Sequence, residues 1–454
     1  MPRPPALRSL LLATLLATGA GLGVAAVASA AAVPAHRPGE VVVSYASGVD
    51  RAARASVQRA TGTGGPRSFA PRSRVLKIRD GHRAAETVRA LRSQPGVKSA
   101  NPVYVAKASA FIPNDPGLAG VPGGWAQTQW NFLAGTGVNA PDAWENLNRA
   151  GRPGGAGVTV AVLDTGLAYS NRGRFRRSPD LSISRVRRGY DFVAGDAYPN
   201  DQNGHGTHVA STIAERADNG VGLVGLAYGA QIMPVRVLDS AGQGDAPVIA
   251  RGIRFAARKG AKIINLSFEF DAAVTGAGIP EVLDALRYAQ SRGVLVIGAS
   301  GNASARAVAY PARSSLVMSV GAVTEHGCQA DYSNRGAGLD ISAPGGGPDA
   351  PILNDPARCR PDQPPGRDIF QVTFDGSVRR FGVPGGYVGT SMAAPHVSAT
   401  AALVVASGVL GKDPTPRAIE ARLRATATDV GAPGPDSRYG AGILDAARAT
   451  APAG

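Results

Sequence analysis

Residues 158–166 read VTVAVLDTG, and this stretch decides the fold of most of the chain. Residues 158–163 form a continuous, mostly β-branched apolar run, the pattern of a strand that is buried on both faces. Four further runs of this kind follow, at 232–238, 263–266, 294–297 and 317–320. Helix-like stretches lie between several of them, at 246–259, 280–291 and 393–406. This alternation predicts an α/β fold, a three-layer parallel sheet with helices on both faces.

Upstream of this region, residues 31–110 have the pattern of a small α+β unit. Strand-like stretches lie at 41–43, 74–79 and 103–106, and helical patterns lie at 51–60 and 84–92. Strands and helices that alternate within so short a span predict a ferredoxin-like sandwich. Residues 109–124, rich in Pro and Gly, are interpreted as a linker.

The charge distribution argues against a nucleic-acid-binding function for the main body of the chain. The 454-residue chain has a net charge of +15, but ten of these charges fall in residues 31–110 and only three in residues 111–454. Nucleic-acid-binding domains carry a concentrated basic surface, which the larger region lacks. We therefore expect no nucleic-acid partner.

The N-terminus predicts export. Arg3 and Arg8 precede an apolar run at 10–27 that ends in Ala-Ser-Ala at 28–30, the pattern of a secretory signal peptide. The alternative is a membrane anchor, but the run is rich in small residues and no polybasic flank follows it. We expect a secreted, extracellular protein with no membrane attachment once residues 1–30 are removed. In that compartment the two cysteines, Cys328 and Cys359, can pair.

Three segments contain side chains that suit nucleophilic catalysis. They are VLDTG at 162–166, NGHGTHVA at 203–210 and GTSMAAPHV at 389–397. Alone, Asp164 is typical of a turn and Ser391 of a helix N-cap. Together they supply an acid, a base and a nucleophile. A serine hydroxyl needs a base to take its proton, His205 has an ordinary pKa near neutrality, and Asp164 would orient the imidazole.

In the order Asp, His, Ser, these segments resemble the subtilisin family of serine endopeptidases. The resemblance covers about residues 130–446, and the leader resembles the family's inhibitory propeptide, ending in NPVYV at 101–105. It implies a signal peptide at 1–30, a propeptide at 31–110 and a catalytic domain at 111–454. It also implies a monomeric zymogen in which Ser391 cuts near 106–112. The propeptide would be an intramolecular inhibitor, and the substrates would be proteins or peptides, cleaved with broad specificity.

The resemblance also implies a substrate-binding site. The oxyanion donors would be the Asn302 side chain and the Ser391 backbone N–H. The groove would comprise segment 240–245, segment 266–268 and the pocket floor, with candidate residues Gly242, Gln243, Gly244, Leu266, Ser267, Phe268 and Tyr310. Where the family usually has glycine, this chain has Glu269. Its side chain either narrows or acidifies the primary pocket, which would favour basic or small residues, or points to solvent.

Structural calcium is a further implication of the resemblance. The matching ligands are Asp115, Asp180, Ala217, Asn219, Val221 and Leu223, and oxygen ligands suit Ca²⁺. The alternative is a polar turn without an ion. An exported chain with two cysteines most simply pairs them, so we expect a Cys328–Cys359 disulfide that fixes the long segment 346–385.

Other functional classes fit the sequence less well. A zinc site at His205 and His208 lacks the Glu and the spacing of the helical zinc-protease motif. We expect His208 to be structural and His396 to face the core beneath Ser391. An esterase would have its serine before the Asp and His. A binding module that kept the fold without activity remains an alternative, although every catalytic position is present.

Overall fold

The computed structural model describes residues 36–79, 82–104, 111–351, 359 and 363–452. The proposed signal peptide and much of the proposed cleavage segment 106–112 lie outside these residues. The chain divides into two compact units, with the boundary between Ser109 and Ala110. None of the described helices combines the length and apolar character needed to cross a bilayer.

The first unit is the predicted ferredoxin-like sandwich. Its elements are β1 (His36–Tyr45), α1 (Arg51–Ala60), β2 (Thr63–Ala70), β3 (Ser73–Ile78), α2 (Ala84–Arg92) and β4 (Val97–Tyr104). The antiparallel sheet has the order β2-β3-β1-β4. Val41, Leu76 and Leu91 are fully buried in its core. The sequence analysis missed β2, whose sequence TGGPRSFA has two glycines and a proline and thus low strand propensity.

The second unit contains the predicted parallel sheet, which is confirmed. Its strands, in chain order, are β5 (Thr159–Asp164), β6 (Tyr190–Asp191), β7 (Gln231–Arg236), β8 (Ile263–Leu266), β9 (Leu295–Ala299), β10 (Met318–Val323) and β11 (Ile341–Pro344). They pair in the order β11-β10-β9-β8-β5-β7-β6, every pair parallel. A small hairpin, β12 (Thr373–Phe374) and β13 (Phe381–Gly382), stands apart from this sheet.

Helices cover both faces of the sheet. They are α3 (Trp125–Thr128), α4 (Ala140–Arg149), α5 (His205–Ala214), α6 (Ala246–Arg258), α7 (Pro280–Ser291), α8 (Thr390–Ser407), α9 (Pro416–Thr426) and α10 (Ala446–Thr450). Alternate residues of β5 enter opposite cores, because side chains of a strand point to opposite faces in turn. Val160 and Val162 pack with α5 and α8, whereas Ala161 and Leu163 pack with α6 and α7.

Two connecting segments are held to the rest of the second unit by specific contacts. Residues 111–124 contain no helix or strand, as expected of a linker, but Asp115 is fully buried within the second unit. This segment is packed because Gly117 donates its N–H to the Gly222 carbonyl at 2.9 Å. In segment 346–385, of which 352–358 and 360–362 lie outside the described residues, Cys359 forms a disulfide with Cys328.

Candidate active site

Asp164 and His205 meet at the carboxyl end of the sheet. Asp164 is the last residue of β5, which lies between β7 and β8 in the interior of the sheet, and its side chain is fully buried. Its Oδ1 lies 2.8 Å from Nδ1 of His205, the first residue of α5, and also accepts the Thr165 N–H at 2.7 Å. The structure therefore brings two of the three predicted catalytic side chains into direct contact.

The charge of Asp164 governs the protonation of His205. Burial alone would lower the pKa of the imidazole, since it penalises the charged form. The negative charge of Asp164 and its hydrogen bond oppose burial and raise the pKa of His205 above its ordinary value, with smaller contributions from Asp201 and Glu269. The pair thus stabilises an imidazolium, the state that a general base adopts after taking a proton.

A buried carboxylate that the sequence analysis missed fixes the approach of α5 to β5. Asp201 accepts hydrogen bonds from Thr165 Oγ1 at 2.9 Å and Thr207 Oγ1 at 2.6 Å, and from backbone N–H groups at the start of α5. Gly206 completes the contact, because an added Cβ would lie 2.3 Å from the Gly166 carbonyl oxygen. An acid shortly before a predicted helix start was the signal available in the sequence.

Ser391 is the second residue of α8, the helix that packs against α5. Gly389, two residues before Ser391, has a φ of 150°, which suits glycine. The Ser391 side chain is largely buried. Ser267 Oγ donates to the Ser391 carbonyl at 2.7 Å, which ties the start of α8 to the end of β8. Within the described part of the chain no hydrogen bond joins the Ser391 hydroxyl to His205; such bonds often tighten only when substrate binds.

The two predicted oxyanion donors converge beside Gly389. Asn302 Oδ1 accepts the Thr390 N–H at 2.8 Å and the Thr390 hydroxyl at 3.0 Å, which fixes the orientation of the amide. Asn302 Nδ2 and the Ser391 backbone nitrogen both lie 3.7 Å from the position that a Cβ on Gly389 would take. Both donors therefore border one small space in front of α8.

The remaining histidines of this region are structural. His208 bonds the Ile369 carbonyl at 2.9 Å and stacks on Tyr387 with ring centroids 4.0 Å apart. His396 donates from Nδ1 to the Met392 carbonyl and accepts at Nε2 from Asn131, each at 2.8 Å. Burial lowers the pKa of His208 to about 3 and that of His396 to about 4, so both rings are neutral at pH 7.

The predicted groove residues lie in two places around this site. Gly242, Gln243 and Gly244 form an exposed turn, and the neighbouring Ser240 carbonyl accepts from Asn203 Nδ2 at 3.1 Å, close to His205. Leu266 ends β8, Ser267 and Phe268 directly follow it, and all three residues are buried. Tyr310 belongs to the same wall, since its carbonyl accepts the Phe270 N–H at 2.7 Å. Between them, Glu269 contacts Asn302 instead of pointing to solvent.

The six predicted calcium ligands also lie together. Asp115 accepts the Asp218 N–H at 2.7 Å, and Asp180 accepts from Asn219 Nδ2 at 2.6 Å and from the Leu223 N–H at 3.0 Å. Ala217 and Val221 belong to the same loop, 217–223. Residue 222 has room only for glycine, because an added Cβ would lie 2.2 Å from the Asp180 carboxylate.

A third buried carboxylate, which the sequence analysis missed, lies next to this loop. Glu215 is fully buried, and among the described residues no hydrogen bond of good geometry reaches its carboxylate oxygens, although the Val372 backbone and Ser211 lie close enough to lower its pKa. Burial, reinforced by Asp180, raises the pKa of Glu215 well above its ordinary value. Burial likewise raises the pKa of Asp180 to about 7, despite the hydrogen bonds that it accepts. The charge of Arg216 lowers the pKa of Asp180 only in part, and among the described residues no Lys or Arg forms an ion pair with these carboxylates.

Comparisons with known proteins agree with this geometry. The Subtilase family model matches residues 155–442, and the model of the Fervidolysin N-terminal prodomain matches residues 23–102. Subtilisin Savinase of Lederbergia lenta is 38% identical over 300 residues, which cover 65% of this chain and 91% of the relative. The thermophilic serine proteinase of Bacillus sp. strain AK1 is 32% identical over 375 residues, which cover 82% and 79% respectively.

A solved structure extends the likeness to the fold. Proteases from Pseudoalteromonas arctica PAMC 21717 match with a TM-score of 0.58 at 29% identity, covering 75% of this chain and 99% of that one. The matched family region, 155–442, includes Asp164, His205 and Ser391. The chain belongs to the subtilase family and is a serine endopeptidase preceded by an N-terminal prodomain.

Proposed function

We propose that the chain hydrolyses peptide bonds through an acyl-enzyme on Ser391, with His205 as the general base and Asp164 as its orienting acid. The observation that carries this proposal is the 2.8 Å contact between Asp164 and His205 at the carboxyl end of β5. In open parallel α/β folds, ligands bind at the carboxyl ends of the strands. Membership of the subtilase family indicates peptide-bond hydrolysis by a serine nucleophile. The positions of the side chains support the role that we propose for each residue.

The proposed reaction has two displacements. As Ser391 Oγ attacks the scissile carbonyl carbon, its proton moves to Nε2 of His205, while Asp164 holds the Nδ1–H and stabilises the imidazolium. The carbonyl oxygen becomes an oxyanion that accepts hydrogen bonds from Asn302 Nδ2 and the Ser391 N–H. When the C–N bond breaks, His205 returns the proton to the leaving amine. A water molecule, deprotonated by His205, then hydrolyses the ester.

Substrate binding would rest mainly on main-chain hydrogen bonds. An extended peptide between segments 240–245 and 266–268 would form a further strand there, with Tyr310 at the pocket floor. Binding of this kind makes small demands on sequence, which supports broad overall specificity for proteins and peptides.

The leader supports a zymogen. The prodomain match at 23–102 favours an intramolecular inhibitor whose tail is cut near 106–112 by Ser391. The N-terminal pattern and the disulfide favour a secreted, extracellular product. We expect the mature enzyme to be a monomer.

Loop 217–223 and its neighbours have a donor set that suits a structural Ca²⁺. Bound there, the ion would offset the charge of the buried carboxylates. The described residues contain no group of three or more His, Cys, Asp or Glu side chains arranged to hold a metal. Carbonyl oxygens would therefore supply much of the coordination, which Ca²⁺ accepts. The proposed ligands are Asp115, Asp180 and Asn219 through their side chains and Ala217, Val221 and Leu223 through their carbonyls.

Two measurements on the secreted protein test the catalytic assignment. A fluorophosphonate probe should label wild type at Ser391 and leave Ser391→Ala unlabelled and unable to cleave casein. Intact mass and N-terminal sequencing should show leader removal in wild type and an uncut leader in Ser391→Ala. Labelling of another residue would contradict the assignment, and equal processing of both proteins would show that a different protease matures the enzyme.

A further inference from the structure

Glu269 connects two walls of the proposed substrate pocket. It directly follows Phe268 at the end of the groove segment, and its carboxylate reaches the opposite wall at Asn302. Oε1 accepts the Asn302 backbone N–H at 3.0 Å, and Oε2 lies 3.4 Å from Asn302 Nδ2. The side chain is half-buried, so part of its surface remains accessible.

The carboxylate adjoins the place where negative charge develops. Both atoms of the Asn302 amide border the space beside Gly389, but Oδ1 accepts from Thr390, so Nδ2 is the hydrogen-bond donor that lies between this space and Glu269. A carboxylate at Nδ2 is thus a close neighbour of the proposed oxyanion. A carboxylate and an oxyanion that both lie next to Nδ2 in a half-buried site repel each other, which raises the energy of the transition state for a substrate with an uncharged side chain.

The part of the chain that the structure describes places no Lys or Arg side chain in an ion pair with Glu269, and the titratable group that acts on it is His205. Burial raises the pKa of Glu269, which the hydrogen bonds from Asn302 and the charge of His205 partly oppose. Glu269 is thus a half-buried carboxylate in the wall of the proposed groove, and it has no Lys or Arg partner among the described residues. A positively charged group on the ligand could take the place of that partner.

We propose that Glu269 is a specificity-determining residue that favours substrates with a lysine or arginine side chain on the residue carrying the scissile carbonyl. This inference rests on the proposed function. That side chain begins only a few bonds from the carbonyl oxygen held at Asn302, so its cationic end can reach a carboxylate bonded to Asn302. The ion pair both binds the substrate and removes the repulsion of the oxyanion. Main-chain binding keeps the remaining subsites permissive.

Matched fluorogenic peptides that differ only in lysine or norleucine at this position test the inference, since the two side chains differ chiefly in the ammonium group. Wild type should prefer lysine in kcat/KM. Glu269→Gln should lower kcat/KM for the lysine peptide roughly 10- to 100-fold, the usual effect of losing a charged hydrogen-bond partner, and leave that for norleucine equal or higher. Glu269→Lys should shift preference towards a glutamate peptide.

The control is Glu420→Gln on α9, a half-buried carboxylate whose pKa burial also raises and which pairs with Arg424 at 3.5 Å. It should leave the lysine-to-norleucine ratio unchanged. Fluorophosphonate titration of Ser391 gives the concentration of active enzyme for each variant. A ratio that Glu269→Gln does not change, or an equal loss on both peptides, would overturn the inference while the proposed function stands. Absence of Ser391 labelling in wild type would overturn both.

Discussion

Two groups of buried carboxylates in the second unit differ in what surrounds them. Asp164 is fully buried and contacts His205, a side chain that can become positively charged. Asp180 and Glu215 are equally buried, yet each is near another carboxylate and burial raises the pKa of both. Asp164 has its partner within the chain. The second group has only the partial influence of Arg216 on Asp180, so a bound cation or a proton would offset the rest of its charge.

This difference separates catalytic from structural use of a buried acid. Burying an unpaired charge is costly, so a carboxylate in the core must have a partner, bind a cation or take up a proton. At Asp164 the partner is the proposed general base, and the stabilisation would appear in the chemistry. At Asp180 an external cation would be the partner, and the stabilisation would appear in the free energy of unfolding. The same substitution at both sites should therefore have different consequences.

The largest effect is expected from Asp164→Asn. The amide would be nearly isosteric but would no longer stabilise the imidazolium or impose the correct tautomer on His205. We expect kcat to fall about 10⁴-fold, the order known for the corresponding loss in subtilisin itself, with the folded state retained. Steady-state kinetics and thermal unfolding measure the two quantities. The matched variant Asp180→Asn should retain kcat; a comparable loss there would erase the distinction.

A smaller effect is expected from removal of calcium. At a calcium concentration 100 times Kd, the ion would add about 2.7 kcal/mol to the free energy of unfolding. Thermal unfolding of wild type with calcium and with chelator should differ accordingly, and Asp180→Asn should reduce the difference because it removes a charged ligand. Unfolding of wild type that is indifferent to chelator would contradict a structural calcium.

The smallest expected effect is the change of activity with pH, counted for each pH unit. His205 must be neutral to accept a proton, and its pKa is raised above the ordinary value. Activity should therefore fall as pH decreases through this raised pKa, about tenfold for each pH unit below it. In Asp164→Asn the acidic limb should move to lower pH, because the main cause that raises the pKa is gone. An unchanged limb would show that another group controls it.

The sequence predicted those parts of the molecule that depend on local pattern. The buried strand before Asp164, the glycine turn before Ser391 and the alternation of strands and helices all carry short-range signals. These signals predicted the parallel sheet and the ferredoxin-like unit, which are confirmed. The roles of Asp164, His205 and Ser391 remain predictions.

The missed features depend on residues far apart in the chain. Asp201 acts through Thr165, a contact that leaves no local pattern. The sequence singled out Glu269, but it left the orientation of the side chain open and did not predict its contact with Asn302. Strand β2 lacks strand propensity and forms through its pairing with β3. Glu215 follows an apolar helix and looks like an ordinary surface acid in sequence. Its burial involves Asp180 and Val372, which are far from it in the sequence.

The most direct test of the account is a crystal structure of the enzyme after reaction with a phosphonate inhibitor. The account predicts phosphorus bonded to Ser391 Oγ, His205 Nε2 within hydrogen-bonding distance of that oxygen, and Asp164 retained on Nδ1. It further predicts one phosphoryl oxygen about 2.7–3.1 Å from both Asn302 Nδ2 and the Ser391 nitrogen. A phosphoryl oxygen directed away from both donors, or an imidazole out of reach of Ser391, would contradict the assignment.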